Sequence, residues 1–140
     1  MPFRCDSLSI PTMKLAVAFA LLAVTAHAEL KWKTTSQRFT YEPGKPIFKT
    51  EFAFTNTGKS PIRILEVKSG CACCTSASVK KVAFAPGETA AVSVKVNVRG
   101  KEVPIIKPVI VQTDDGRYTT LLVEVTTSDG QRVKVPRWGK

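Results

Sequence analysis

Val92-Ser-Val-Lys-Val-Asn-Val98 places a valine at every second position and a polar residue at each position between them. The segment Phe48-Lys-Thr-Glu-Phe-Ala-Phe54 shows the same alternation, with phenylalanine and threonine on one face. Successive side chains of a β-strand point to opposite faces of a sheet, so apolar residues at every second position bury one face. Both segments therefore predict strands that are half buried against a core.

The rest of the chain after residue 28 follows the same pattern. Further alternating segments predict strands at 37–41, 62–68, 79–84, 108–113, 121–126 and 131–135. Turn residues separate these segments, and Asp115-Gly116 between two apolar runs predicts a β-hairpin. No segment in this part has the periodicity of an amphipathic helix. About seven short strands at this spacing favour an all-β, two-sheet β-sandwich, with a small closed barrel as the structural alternative.

Residues 13–28 read MKLAVAFALLAVTAHA, the order of a secretory signal peptide: a basic start, an apolar run and a small-residue cleavage site. The apolar run is about half as long as a membrane-spanning helix, and no later segment is as apolar, so no spanning segment is expected. Met13 is the better start, and we predict a signal peptide at 1–28. Cleavage after Ala28 leaves a single domain at 29–140, exported to the periplasm or the extracellular space.

The composition indicates a basic folded domain. The chain has 140 residues, of which 44% are hydrophobic, and a formal net charge of +10. This length allows one domain with a buried core. Its one histidine, His27, and one of its four cysteines, Cys5, fall in the predicted signal peptide. The mature chain therefore lacks the imidazole base of Ser-His-Asp sites and of most thiol nucleophiles, and we expect no catalytic residues.

Three cysteines lie within Cys71-Ala72-Cys73-Cys74, just after the predicted strand 62–68. In an oxidising compartment thiols pair, and three thiols in a monomer leave at least one without a disulfide. Pairing of sequence neighbours is strained, because disulfides favour Cα separations of about 4.4–6.8 Å. The alternative is a metal or redox site, where thiolates without histidine suit Cu(I), or Zn(II) with a fourth ligand. A covalent link to another chain is a further alternative.

Lysine and arginine are scattered along the chain, and no run of five occurs. The charge predicts attraction to an anionic envelope polymer, or else a merely soluble basic surface. No nucleic-acid motif is present, so no nucleic-acid partner is expected. Trp32 between two lysines, and Trp138 beside Arg137, are candidate binding residues. The alternative for both tryptophans is packing over the ends of the sandwich.

Four motifs in order resemble the bacterial family of domains of unknown function numbered 1573. They are Glu51-Phe-Ala-Phe-Thr-Asn-Thr-Gly58, Pro61-Ile-Arg-Ile64, Val67-Lys-Ser-Gly-Cys-Ala-Cys73 and Phe84-Ala-Pro-Gly-Glu88. The resemblance covers roughly residues 48–126 and implies an exported, immunoglobulin-like sandwich related to Hydin-type domains. Two departures concern the thiols, since Ala72 replaces a glycine between two cysteines and Cys74 stands where the family often has threonine.

The function predicted from these observations is an exported, non-catalytic binding or scaffold module of the bacterial cell envelope. Its expected partner is another envelope protein or an anionic envelope polymer, and no cofactor is required. The alternative function is a soft-metal or redox-active envelope protein that uses Cys71, Cys73 and Cys74.

Overall fold

The computed structural model describes residues 29–70 and 74–137, and this part of the chain is built from β-strands and turns. The predicted signal peptide lies outside the described residues. The strands are β1 Leu30–Trp32, β2 Ser36–Thr40, β3 Ile47–Asn56, β4 Ile62–Ser69, β5 Thr75–Val79, β6 Ala83–Phe84, β7 Thr89–Asn97, β8 Glu102–Val103, β9 Ile105–Thr113, β10 Tyr118–Thr126 and β11 Val133–Lys134. Within these ranges no helix is long and apolar enough to cross a membrane.

The strands form two packed sheets and a short ribbon. Sheet A has the strand order β1-β3-β7-β5, and sheet B has the order β2-β10-β9-β4-β6. Strands β8 and β11 pair as a separate two-stranded ribbon. Strand β2 runs parallel to β10, whereas the other neighbouring strands run antiparallel. The predicted two-sheet sandwich is therefore confirmed, and seven of the strands are five residues or longer, as expected.

A single core cluster fills the space between the sheets. Sheet A contributes Phe52 and alternate valines of β7, and sheet B contributes Val109 and Val123, all fully buried. These are the inward positions that the two-residue alternation predicts. Burying a side chain of this size stabilises the fold by roughly 1.5–3 kcal/mol relative to leaving it exposed. The core thus rests on the segments that indicated strands most clearly.

The hairpin predicted at Asp115-Gly116 joins β9 to β10. Gly116 has a φ of 82°, a backbone conformation that other residues rarely adopt. Its N–H donates to the Thr113 carbonyl at 3.1 Å, and the Asp115 side chain accepts from the Arg117 N–H at 3.1 Å. This turn sets the register of the two central strands of sheet B.

One predicted strand is wrong. The segment 79–84 is divided between two sheets, because β5 ends at Val79 in sheet A and β6 begins at Ala83 in sheet B. The residues between them carry the chain from one sheet to the other, and Val82 is half exposed. The alternation around Val79 and Val82 therefore does not belong to one strand.

Candidate functional site

The cysteine segment lies where the chain crosses from sheet B to sheet A, between β4 and β5. Cys71 and Cys73 lie outside the described residues. Cys74 is buried, and its carbonyl accepts from the Asn97 N–H at 2.7 Å. Before the segment, the Gly70 N–H donates to the Pro108 carbonyl at 3.1 Å. Both ends of the segment are therefore fixed by the sheets.

A side chain at Gly70 would crowd this crossing. A Cβ built there lies 3.2 Å from Cγ of Pro108, closer than most real contacts. The Cys74 thiol lies 3.8 Å from the Thr75 hydroxyl. Within the described ranges, no three His, Cys, Asp or Glu side chains gather as a metal site. The metal or redox role of Cys71, Cys73 and Cys74 stays a prediction.

The candidate binding residues Trp32 and Arg137 lie at opposite ends of sheet A. Trp32 pairs with Phe54 in the register of β1 and β3. Arg137 packs against Gly100, which follows the other end of β7. On β3, the position that pairs with Trp32 and the position that pairs with Asn97 are seven residues apart. The two ends of sheet A are therefore separated by about 23 Å along the strand. These residues do not form one site, and Trp138 lies outside the described residues.

Trp32 packs on the core at the edge of sheet A. Its ring centroid lies 4.9 Å from that of Phe54, and its indole N–H is buried without a hydrogen-bond partner in the described structure. The ring also lines a hollow of about 280 Å³ together with Lys31 and Lys33. Trp32 is thus packed against the core from the edge strand β1, and its binding role stays a prediction.

The outer face of sheet A, here called the basic face, combines small side chains with lysines. Cross-strand pairing sets Ala53 opposite Ala91, and Lys49 opposite Lys95, on β3 and β7. Two further hollows, of about 240 and 470 Å³, open over this face and the adjacent end of β5. The hollows form because the alanine and serine side chains there are small, and lysine side chains line them. This face therefore offers room and positive charge together.

The outer face of sheet B, here called the apolar face, carries Ile106, Ile110, Tyr118 and Leu122. Leu122 lies opposite Pro108 in the register of β9 and β10, and it is diagonal to both isoleucines. Tyr118 is 66% exposed and Ile106 is 58% exposed. Sheet residues on this side should be polar if the face met only water. The sequence predicted the strand at 121–126 that contains Leu122, but not the face that it forms with β9.

Asn56 is a buried polar residue whose role sequence reasoning missed. Its Nδ2 donates to the carbonyls of Ser60 and Phe84, at 2.9 and 3.1 Å. Its Oδ1 accepts from the Gly58 N–H at 3.0 Å. Its backbone carbonyl accepts from the Gly87 N–H at 2.7 Å. Asn56 therefore ties the end of β3 to its own turn and to the segment between β6 and β7.

Two separate motifs of the family resemblance meet at this residue. Phe52, Asn56 and Gly58 belong to the first motif, and Gly87 and Glu88 belong to the last one. The Asn56 N–H donates to the Glu88 carbonyl at 2.9 Å, so the motifs are joined by backbone as well as side-chain bonds. The sequence shows the two motifs in order along the chain, but it does not indicate that they contact each other. These motif residues maintain the fold at one end of the sandwich.

Glu88 is held in its charged form by two donors. The Lys81 ammonium binds its carboxylate, and the Ala85 N–H donates to Oε2 at 2.8 Å. The hydrogen bond from Lys81, followed by that from Ala85, lowers the pKa of Glu88 below its ordinary value. A lowered folded-state pKa contributes stability above the unfolded pKa, and this contribution is lost as pH falls through the folded value.

We expect Lys81→Met to raise the pKa of Glu88 part of the way towards its ordinary value, because the Ala85 N–H still donates. An NMR titration of the Glu88 carboxyl carbon measures the change. Lys80→Met is the matched control, since the ion pair of Glu88 in the structure is with Lys81. Equal Glu88 pKa values in the two variants would contradict the assignment of the shift to Lys81.

The described structure is similar to known immunoglobulin-like sandwiches. An ASH / PapD-like domain of human CEP192 is 11% identical with a TM-score of 0.52, over 70% of this chain and 84% of that one. WR4, a member of the MSP family from C. elegans, is 9% identical with a TM-score of 0.50, over 73% of this chain and 100% of that one. At these identities the likeness concerns the fold alone. The protein is thus an all-β, immunoglobulin-like sandwich.

The chain belongs to the family described as "Protein of unknown function (DUF1573)", whose model matches residues 30–127. This confirms the family indicated by the sequence motifs. A protein of unknown function from Porphyromonas gingivalis W83 is 16% identical with a TM-score of 0.61, over 74% of this chain. The match spans 50% of the length of that protein. Among curated proteins, no sequence matches this chain.

Proposed function

We propose that this chain is an exported, non-catalytic binding or scaffold module of the bacterial cell envelope, and that its apolar face contacts another envelope protein. The observation that carries the proposal is the row of exposed apolar side chains on β9 and β10. Contiguous exposed apolar surface typically marks a site of protein interaction. The immunoglobulin-like fold supports a module of this kind without specifying its partner.

The charges around the apolar face favour a protein over an anionic polymer as its partner. Arg38 beside this face is bound to Glu124, with Nε and Oε2 2.9 Å apart. Lys68 on β4 is next to Glu66, two positions away on the same outer side. Acids and bases thus alternate at the border of the face. A polymer held by charge would bind elsewhere on this basic chain, whereas an apolar protein surface fits here.

The test is site-specific photo-crosslinking in the organism that makes the protein. A photoreactive amino acid at Ile110 or at Leu122 should give an adduct of one defined mass, and the same amino acid at Ser128 should not. Ser128 is the matched control because it is exposed in the turn after β10 and is not a residue of the face. We expect Ile106→Glu to abolish both adducts, since it places a charge within the contact.

Ile106→Glu should leave the fold intact, because the side chain is 58% exposed and surface substitutions usually change stability by no more than about 0.5 kcal/mol. Thermal unfolding of the variant checks this point. The proposal fails if Ser128 gives the same adduct, or if Ile106→Glu leaves the adducts unchanged. Salt-sensitive retention on an anionic polymer without any protein adduct would favour a polymer partner instead.

A further inference from the structure

Strand β5 is an edge of sheet A that lacks the usual protection. Its sequence, Thr75-Ser-Ala-Ser-Val79, contains no charged residue and no proline, and its register with β7 has no bulge. Proteins commonly protect sheet edges with lysine, proline, bulges or very short strands. The other edges follow this rule: β1 and β6 have three and two residues, and β2 carries Arg38. An open edge of this kind is a template for another strand.

The register shows which backbone groups of β5 point to the open side. The Asn97 N–H donates to the Cys74 carbonyl, which makes this pair a hydrogen-bonded one. In an antiparallel ladder such pairs alternate with non-hydrogen-bonded pairs, whose N–H and C=O groups point away from the neighbouring strand. Thr75, Ala77 and Val79 are the non-hydrogen-bonded residues. The Ser69 hydroxyl donates to the Thr75 carbonyl at 2.9 Å, so Ala77 and Val79 present the open edge.

The hollow beside β5 is bordered by lysines. It has a volume of about 240 Å³ and lies over Ser76, Ser78 and Ser93, with Lys49 and Lys95 on its rim. The two lysines are directly opposite each other on β3 and β7, an arrangement that like charges disfavour. Neither forms an ion pair within the described residues, and the nearby Glu51 accepts a hydrogen bond from Ser93 at 3.2 Å. A further carboxylate here would relieve the repulsion.

From the edge and the charge together, we propose that β5 accepts an extended, acidic segment of a partner protein as a fifth strand of sheet A. Neighbouring strands lie about 4.8 Å apart, so the added strand would be about 10 Å from β7. Because Ser76 lies between them and is small, an acidic side chain can cross the hollow and reach the Lys95 ammonium. The backbone supplies affinity in this mode, and the side chains supply selectivity.

A second copy of this chain is a poorer occupant of the same edge. Two copies would bring two sets of lysines together, since Lys80 and Lys81 directly follow β5. The inference goes beyond the proposed function, because it concerns sheet A and the apolar face belongs to sheet B. Crosslinks from the apolar face can therefore fail while β5 still binds an acidic strand, and the reverse also holds.

The probe for this site is a fluorescent eight-residue peptide of alternating valine and glutamate, titrated into the mature protein and followed by fluorescence anisotropy. We expect saturable binding that weakens as salt increases. Amide exchange at Ala77 and Val79 should slow in the complex, since their N–H groups become hydrogen bonded. A peptide of alternating valine and lysine should not bind. Absence of saturable binding of the acidic peptide up to about 1 mM would overturn the proposal.

Two variants separate strand addition from general charge attraction. Ala77→Pro removes an outward N–H without removing a bond to β7, and it should abolish binding while the fold is kept. Lys95→Glu should weaken binding about fivefold, as expected for one partly exposed ion pair. Lys134→Glu is the matched control, because Lys134 belongs to the separate ribbon. Equal binding by the wild type and Ala77→Pro, or equal loss in Lys95→Glu and Lys134→Glu, would overturn the proposal.

Discussion

We expect Phe54→Ala to lower the free energy of unfolding of the residue 29–140 chain by about 3–5 kcal/mol. Phe54 is 1% exposed, and its ring lies between two others. The centroid distance is 4.9 Å to Trp32 on the edge strand β1 and 4.9 Å to Phe84 in sheet B, the latter with the rings perpendicular. Aromatic contacts of this kind contribute about 0.5–1.5 kcal/mol beyond the buried area. The substitution therefore leaves a cavity between the two sheets and removes both ring contacts.

Chemical denaturation of the residue 29–140 chain measures this loss, which is a large part of the roughly 5–15 kcal/mol typical of a domain. Tyr118→Ala is the control, because it also removes an aromatic ring but one that is 66% exposed. It should change stability by no more than about 0.5 kcal/mol. Similar losses in the two variants would show that the contact of Trp32, Phe54 and Phe84 is not part of the stable core.

The strands of the core could be predicted from the sequence because their burial is regular. In β7 and directly after it, Val92, Val94, Val96 and Val98 mark successive inward positions, and all are buried. Strand β5 could not be found in this way. Of its inward side chains Thr75 is buried but polar, and Ala77 and Val79 are only partly buried, because an edge strand covers one margin of the core. The alternation of apolar and polar residues reflects the burial of one face of a strand. It is therefore weak in a strand whose inward face is only partly buried.

The candidate site could be predicted only in part. The basic charge was evident from the composition, but the opposition of Lys49 and Lys95 depends on the register of β3 with β7. The strand that carries Leu122 was predicted, whereas the apolar face that it shares with Ile106 follows only from the β9–β10 pairing. Contacts between distant segments depend on which strands pair and in which register, and neither could be read from the alternation of one sequence.

The family motifs also indicated less than the structure shows, because they did not indicate which motif residues contact each other. The resemblance identified the fold, yet it did not say that Asn56 and Gly87 would meet. The structure brings them together at one end of the sandwich, where the Gly87 N–H donates to the Asn56 carbonyl. Motifs that maintain a fold need not mark a binding site. The apolar face and β5, on which the two binding proposals rest, lie outside these motifs.

Asn56→Asp should be the most informative test of this interpretation, with an expected loss of about 4 kcal/mol or more at pH 7. Asn56 is fully buried, and its amide donates to two carbonyls. A carboxylate of the same shape cannot donate to them, and it places a negative charge against the oxygens of Ser60 and Phe84. It keeps only the acceptor role towards the Gly58 N–H. Burial and repulsion then raise the pKa of the introduced carboxyl.

The sign of the pH dependence follows from that shift. The unfolded carboxyl has a pKa of about 3.9, so between this value and the raised folded value only the folded state holds the proton. Stability then falls as pH rises through this window, and the penalty is largest above the folded pKa. Asn56→Ala, with a loss of about 2–4 kcal/mol from the unpaired carbonyls, introduces no such group and should show the pH dependence of the wild type.

The test of this pH dependence is a set of denaturation curves for the wild type and both variants, measured from pH 4 to pH 8. We expect the Asp variant to approach the Ala variant as pH falls, because the protonated carboxyl can donate to one of the two carbonyls. A constant difference between the two variants across this range would mean that the introduced carboxyl reaches water. In that case Asn56 would not be the enclosed link between the two motifs, and the fold role assigned to them would be lost.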